Sequence, residues 1–252
     1  MKRVLVTRPL ASGEELCQLL TECGIEAHHY PLIDILPGRE RADLSEALAA
    51  SDIIIAVSQY AVSFASDALI EQQASWPQDC RYFAVGQKTA QCLSKACGQP
   101  VHFPQKSDSE HLVALPEMSD LTGKQITILR GNGGRDVIYD TLVAQGAKVS
   151  YKEMYQRIAR PTPIQQCLAQ WQAMGINTII ITSKQQLMIF MDFFKDSPTN
   201  WPTQQTLIVP SDRIAHYAEM LGFTQIIVSG SAHNADLVAA LSPNQQDFSN
   251  DK

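Results

Sequence analysis

The feature that most constrains the fold of this chain is a regular alternation of short apolar runs with segments of helical periodicity. Val4–Thr7 is a short apolar run, after which Leu16, Leu20 and Cys23 recur at helical spacing until Gly24. Short strands that alternate with helices are typical of parallel sheets with helices packed on them. The sequence therefore predicts an α/β fold.

The same alternation continues along the chain. Further strands are predicted at Glu26–Tyr30, Ile53–Val57, Tyr82–Val85 and Lys148–Tyr155, and helices at Asp43–Ala50, Tyr60–Glu71 and Thr89–Ala96. In the first helical segment, Ser12 and Glu15 have the spacing of a capping box. This spacing places the start of the first helix at Ser12.

An internal repeat is visible at a nearly constant offset. Val4–Pro9 resembles Ile126–Gly131 at an offset of 122 residues, and Phe83–Gly86 resembles Leu207–Pro210 at an offset of 124. The offset rises to 125 for the pair Leu112 and Leu237, so it drifts by only three residues. Self-similarity at a fixed period is the signature of a repeated unit. We therefore predict an internal duplication of a unit of about 120 residues with about five strands.

Two stretches are predicted to be linkers, residues 36–38 and 156–163, because both contain proline and both follow the second strand of a repeat. Their positions predict a crossed arrangement. A discontinuous domain 1 would consist of residues 1–35 and 158–241, and domain 2 of residues 39–155. Residues 242–252 are predicted to form a polar tail.

Composition excludes several classes of protein. The net charge is −6 with a pI of about 5.5, which leaves no basic excess for binding the nucleic-acid backbone. The apolar runs are far shorter than the roughly 20 residues that a membrane helix needs. The first residues enter a strand without the apolar segment of a signal peptide. We therefore expect a cytoplasmic protein with no nucleic-acid or membrane partner. We also expect a monomer, because the sequence shows no coiled-coil pattern and no long apolar stripe.

Residues that directly follow strands are the candidates for ligand binding, because ligands of open parallel sheets bind beyond the carboxyl ends of the strands. Most of these residues here are hydroxyl, glycine or cationic residues, which suit an anion. The candidates are Thr7, Arg8, Ser58, Gly86, Thr89, Arg130, Gly131, Gly133, Gly134, Arg135, Thr182, Ser183, Ser211 and Arg213. For a single Ser or Thr, a plain helix cap is the simpler interpretation.

Arg130–Arg135 is the most distinctive of these segments, because its glycines can form a backbone nest between two guanidinium groups. It lacks the spacing of a P-loop or of a dinucleotide fingerprint, which argues against a nucleotide. Tyr155, at the end of a predicted strand beside the second linker, is a candidate proton donor. The cysteines and histidines have no metal-ligand spacing.

Taken in order, several of these segments resemble the uroporphyrinogen-III synthase family over about residues 1–241. The matching segments are Val4–Pro9, Ala84–Ala90, Arg130–Arg135 with Leu142 to Gly146, Tyr155–Arg157 and Val209–Ala215. Each motif alone has little specificity, and it is their order and spacing that carry the resemblance.

The resemblance implies two flavodoxin-like domains joined by a two-stranded linker. It implies a lyase of haem biosynthesis that closes hydroxymethylbilane, a linear polycarboxylate tetrapyrrole, to uroporphyrinogen III with loss of water and inversion of ring D. It implies no cofactor and no metal. It gives Tyr155 the role of assisting departure of the hydroxyl group, and it places Thr89 and Ser211 among the hydroxyls of the cleft. A transient contact with the preceding enzyme of the pathway is also expected.

Two other interpretations remain open from the sequence. One is a two-domain binding module for an anionic small molecule, with a hinge at the two linkers. The other is a flavodoxin-like flavin protein, for which Pro9 is a poor fit because it removes one N–H donor from the loop that would hold the phosphate.

Overall fold

The computed structural model describes residues 2–241, so the predicted tail at 242–252 lies outside the described residues. The strands are β1 (Arg3–Val6), β2 (Glu26–His29), β3 (Ile33–Pro37), β4 (Ile53–Ala56), β5 (Arg81–Ala84), β6 (Val101–His102), β7 (Gln125–Gly131), β8 (Lys148–Ala159), β9 (Thr178–Ile180), β10 (Thr206–Val209) and β11 (Ile226–Val228).

The α-helices follow the strands in alternation, as the sequence predicts. They are α1 (Leu10–Glu22), α2 (Leu44–Ala49), α3 (Gln59–Glu71), α4 (Gln87–Cys97), α5 (Ser109–Val113), α6 (Val137–Ala144), α7 (Ile164–Ala173), α8 (Lys184–Asp192), α9 (Asp212–Met220) and α10 (Asn234–Ala239). Short 3₁₀ turns lie at Pro116–Met118 and Trp201–Gln204.

The chain forms two compact units. Unit 1 contains the residues up to Asp34 together with those from Ile158 onward, and unit 2 is Ile35–Arg157. The two predicted linkers lie where the chain passes between units, and both are partly strand, since β3 reaches Pro37 and β8 reaches Ala159.

Unit 1 contains a five-stranded sheet in the order β2-β1-β9-β10-β11, in which every neighbouring pair is parallel. This is the 2-1-3-4-5 order of flavodoxin-like folds. Its core includes Val4 and Val6 of β1, Leu16 and Leu20 of α1, and Ile208 of β10, all of them fully buried.

Unit 2 contains a six-stranded sheet in the order β3-β8-β7-β4-β5-β6. Its strands from β8 to β6 are parallel. The edge strand β3 is antiparallel to β8. Gly38 N–H donates to the Met154 carbonyl and Arg160 N–H donates to the Leu32 carbonyl, so residue numbers rise on one strand as they fall on the other.

Both faces of the unit 2 sheet are covered, as its five parallel strands from β8 to β6 require. Ile53 and Ile55 of β4 belong to the core on one face, while Ile54 and Ala56 belong to the core on the other. This period of two places successive side chains of a strand on opposite faces. The predicted α/β class with two flavodoxin-like parallel sheets is confirmed.

The strand orders of the two units correspond when β7 and β8 take the places of β1 and β2. Those are the strands that the sequence repeat pairs, since Val4–Pro9 contains most of β1 and Ile126–Gly131 most of β7. Origin by duplication stays a prediction.

Two local expectations are wrong. The first helix begins at Leu10 after Pro9, and Ser12 donates back to the Pro9 carbonyl at 3.0 Å, so Ser12 and Glu15 form no capping box. The strand predicted to end at Tyr155 continues to Ala159, because its far end pairs with the segment around β3.

Candidate active site

A cavity of about 190 Å³ opens in unit 2 at the carboxyl ends of its parallel strands. Its wall combines apolar side chains with hydroxyl and cationic groups. The lining residues are Val57, Ser58, Val85, Ser109, Ile128, Arg130, Gly133, Gly134, Arg135, Ile138, Tyr151, Tyr155 and Arg157. The cavity therefore lies where ligands of open parallel sheets bind.

Tyr155 lines this cavity from β8 and is only 2% exposed. Its hydroxyl oxygen lies 3.1 Å from Ser58 Oγ and 3.1 Å from an Nη of Arg157. Its ring packs on Tyr60 and Phe64, with centroids 5.6 and 6.4 Å away. The phenol is thus held rigidly at the cavity wall by contacts on both its ring and its oxygen.

Arg157 follows Tyr155 by two residues, so both side chains project from the same face of β8. Asn132 fixes this part of the strand: its side-chain oxygen accepts from Arg157 N–H at 2.9 Å, and its amide donates to the Arg157 carbonyl at 3.3 Å. The guanidinium lies 5.4 Å from the Tyr155 ring centroid. Within residues 2–241 it has no carboxylate partner.

Arg130 is held by two groups on the rim of the cavity. Its guanidinium lies 4.2 Å from the Tyr151 ring centroid and donates to Asp136 Oδ1 at 2.8 Å. Tyr151 donates to the same oxygen at 2.8 Å. The Arg130 hydrogen bond lowers the pKa of Asp136. Burial, with the nearby Asp136 carboxylate, raises the pKa of Tyr151 to about 12.

Arg135 makes a two-pronged ion pair with Glu110 of α5, one arm of which measures 3.0 Å from Nη2 to Oε2. The Arg135 guanidinium lowers the pKa of Glu110 in this pair. Both arginines of the Arg130–Arg135 segment are therefore already matched with carboxylates of the protein itself.

Gly131 packs closely against Tyr155, and its predicted contact with a ligand stays a prediction. A Cβ at this position would lie 2.6 Å from Cζ of the Tyr155 ring, so the missing side chain makes room for that ring. Gly86 is the N-cap of α4 and faces Ser107, and Thr89 is buried within α4. These three predicted residues do not line the cavity of unit 2.

The candidates in unit 1 lie at the carboxyl ends of β1, β9 and β10, and several of them bond to other groups of the same unit. Thr7 is buried and donates to the Ile180 carbonyl at 2.7 Å. Thr182 donates to Gln186 Oε1 from both its N–H and its hydroxyl. Ser183 caps α8 by accepting from Gln186 N–H at 3.1 Å.

The remaining unit 1 candidates follow β1 and β10. Arg8 donates to Asn234. Ser211 is the N-cap residue of α9 without a side-chain cap bond, and Arg213 lies in the first turn of that helix.

The sequence predicted some of the residues that line the cavity of unit 2 and did not predict the others. Ser58, Arg130, Gly133, Gly134 and Arg135 line the cavity with Tyr155, as a shared anion site would require. The polar wall residues that were missed are Ser109, Tyr151 and Arg157. For Arg157 a signal was present, because a residue two positions after Tyr155 shares its face of the strand.

A protein-family model described as uroporphyrinogen-III synthase HemD matches residues 14–239. The uroporphyrinogen-III synthase of Escherichia coli K12 is 39% identical over 246 residues, which is 94% of this chain and 99% of that protein. The corresponding protein of Salmonella typhimurium LT2 is 37% identical over the same shares of both chains.

Solved structures share the fold. A mutant uroporphyrinogen III synthase of the extreme thermophile Thermus thermophilus superposes with a TM-score of 0.63 at 16% identity, covering 96% of this chain and 99% of that one. The uroporphyrinogen-III synthetase of Helicobacter pylori 26695 gives a TM-score of 0.61 at 15% identity, covering 96% and 100%. No helix within residues 2–241 combines the length and apolar character that crossing a bilayer requires.

Proposed function

This chain belongs to the uroporphyrinogen-III synthase family, and from that membership we propose that it closes hydroxymethylbilane to uroporphyrinogen III. Ring D is inverted and one molecule of water is lost, which makes the reaction that of a hydro-lyase acting on a carbon–oxygen bond. The observation that carries the proposal is 39% identity to the uroporphyrinogen-III synthase of Escherichia coli K12 over nearly the full length of both chains. This interpretation takes precedence over the binding module and the flavin protein.

The chemistry of the cavity in unit 2 supports the proposal. The substrate is a polycarboxylate, and three guanidinium groups, those of Arg130, Arg135 and Arg157, lie at the cavity wall. Gly133 and Gly134 leave the loop backbone accessible at the wall. At about 190 Å³ the cavity is smaller than the roughly 300 Å³ at which drug-sized sites begin. It therefore suits one pyrrole ring of the tetrapyrrole.

Tyr155 is proposed as the proton donor. The hydroxyl group of hydroxymethylbilane leaves as water only if it gains a proton, and a phenol at the cavity wall can supply one. Val57, Ile128 and Ile138 give the cavity an apolar wall beside the resulting azafulvene. The reacting rings then pass through a spiro intermediate. The protein promotes this step by holding the rings in the right orientation.

A transient contact with the enzyme that makes hydroxymethylbilane is also proposed. Free hydroxymethylbilane closes without an enzyme to the type I isomer, so a transient contact with the enzyme that makes it would limit that loss.

The test is to give the purified protein freshly made hydroxymethylbilane, oxidise the products and separate the uroporphyrin isomers. A product that is mostly type III supports the proposal, because uncatalysed closure gives type I. Type I alone, at the rate measured without protein and from a folded sample, would contradict it.

A further inference from the structure

We propose that Arg157 is a positioning residue for Tyr155: together with Ser58, it holds the phenol oxygen so that the phenolic proton points into the cavity. This inference rests on the proposed role of Tyr155 as proton donor. It assigns to Arg157 a task in the reaction itself, distinct from binding the carboxylates of the substrate.

The hydrogen bonds fix the direction of the proton. A guanidinium has only N–H donors, so the 3.1 Å contact makes the Tyr155 oxygen an acceptor from Arg157. Ser58 Oγ accepts from Ala61 N–H at 3.2 Å and donates to the same phenol oxygen at 3.1 Å. With two donors aimed at this oxygen, its own O–H bond points away from both of them. Since Ser58, Tyr155 and Arg157 all line the cavity, the proton faces the space for substrate.

Arg157 is an exposed residue whose backbone is held by Asn132 and whose guanidinium has no carboxylate partner within residues 2–241. Asn132 binds both backbone groups of Arg157, which fixes the start of its side chain. Arg130 and Arg135 differ from it, because each is paired with a carboxylate of the protein. A charge that is not compensated locally stabilises a new negative charge beside it more strongly.

The positive charge of Arg157 stabilises the phenolate that forms when Tyr155 gives up its proton. When the carbon–oxygen bond of the substrate breaks, the oxygen leaves with the electron pair, takes the proton of Tyr155 and becomes water. The phenolate left behind lies 3.1 Å from the Arg157 guanidinium and from Ser58 Oγ, both of which donate to it. Loss of water leaves the substrate as a protonated, cationic azafulvene. Its positive charge is lost when the ring carbon that forms the last bond gives up its hydrogen as a proton to the Tyr155 phenolate, so the cycle balances with one water released.

The test is a double-mutant cycle with Arg157→Met and Tyr155→Phe, measuring kcat, KM and the share of type III isomer. If Arg157 acts through the phenol, Arg157→Met lowers kcat by about 10- to 100-fold with KM nearly unchanged. In the Tyr155→Phe background the same change then costs no more than about twofold, because the group it positions is absent. Arg157→Lys, which keeps the charge without the planar fork, falls between the two.

Arg81→Met is the matched control, since Arg81 is an exposed arginine of β5 outside the cavity and its removal changes the net charge equally. We expect its kcat and isomer ratio to equal those of the parent protein. Thermal unfolding of each variant checks that it is folded. Should Arg157→Met fail to fold, the cycle is completed with Arg157→Lys.

If the effects of the two substitutions on kcat multiply, Arg157 does not act through Tyr155 and the proposal is overturned. If Arg157→Met raises KM at unchanged kcat, the proposal is also overturned, and Arg157 is a substrate anchor instead. Unchanged kinetics in Arg157→Met would overturn it as well. Failure of the proposed function looks different, since the parent protein itself would then yield only the type I isomer.

Discussion

The ring of Tyr155 occupies the space that a side chain at position 131 would need. A Cβ built on Gly131 would lie 2.6 Å from Cζ and 2.7 Å from Cε2 of that ring. Because Tyr155 is almost fully buried against Tyr60 and Phe64, the ring has little room to withdraw. The absence of a side chain at Gly131 is therefore a condition for the position of the phenol in the cavity.

Gly131→Ala is expected to destabilise the protein by about 1–3 kcal/mol, since it overpacks a filled core, and to lower kcat by displacing the phenol. Chemical denaturation measures the first effect and isomer-resolved kinetics the second. In a Tyr155→Leu background the added methyl group should cost much less stability, because the aromatic ring it meets is gone. An equal cost in both backgrounds would show that the clash lies elsewhere.

Tyr155→Phe keeps the ring and removes the hydroxyl that contacts Ser58 and Arg157. Loss of a general acid should lower kcat by about 100-fold or more, while loss of hydrogen bonds should lower the free energy of unfolding by only about 1 kcal/mol. Steady-state kinetics and thermal unfolding measure the two quantities.

The matched control for that prediction is Tyr82→Phe. Tyr82 is an equally buried tyrosine of unit 2 whose hydroxyl donates to the Pro77 carbonyl at 2.8 Å, and it does not line the cavity. The Tyr82→Phe variant should show a similar fall in the free energy of unfolding and keep the kcat of the parent protein. A Tyr155→Phe variant with the kcat of the parent protein would remove Tyr155 from the mechanism.

The fold class was predictable from the sequence because the signals for it are local. Alternating apolar runs marked the strands, and glycines such as Gly24 and Gly98, which adopt positive φ, marked the helix ends. The start of α1 was misplaced, because a capping-box spacing at Ser12 does not reveal that its hydroxyl bonds back to Pro9.

The site was predictable only in part, because its electrostatics depend on contacts distant in sequence. The sequence identified Arg135 as a cation after a strand. It could not show that α5 brings Glu110, 25 residues away, to neutralise it. Arg157 was overlooked because it lay in a stretch interpreted as a linker, although β8 continues through it.

Removing the partner of Arg135 should improve substrate capture. Glu110→Gln frees the guanidinium at the cavity wall, which attracts a polyanionic substrate, so KM should fall, and more at low ionic strength, where charges are less screened. The free energy of unfolding should hardly change, because exposed ion pairs contribute little. Kinetics at two salt concentrations test this.

Glu71→Gln is the control for that change. Glu71 pairs with Arg41 and does not line the cavity of Tyr155, yet its substitution alters the net charge equally. A fall in KM of equal size in both variants would mean that only the total charge matters, against a specific role for Arg135.

Arg130, Asp136 and Tyr151 form a cluster whose charge state depends on pH. Tyr151 stays protonated through neutral pH, because its pKa is raised to about 12, and so remains a donor to Asp136. Asp136 is ionised to lower pH than usual, because Arg130 and then Tyr151 donate to its carboxylate. The cluster keeps Arg130 stacked on the Tyr151 ring at the cavity wall.

A carboxyl group whose pKa is lowered on folding stabilises the protein at pH values above its ordinary pKa, here 3.8, and loses that effect as pH falls through the lowered value. The difference in free energy of unfolding between the parent protein and Asp136→Asn should therefore stay constant from neutral pH to about pH 5, then shrink in stronger acid. Urea titrations at several pH values measure it. A difference that grows as the pH falls would contradict the pairing of Asp136 with Arg130, because protonation would then strengthen the native contacts of Asp136.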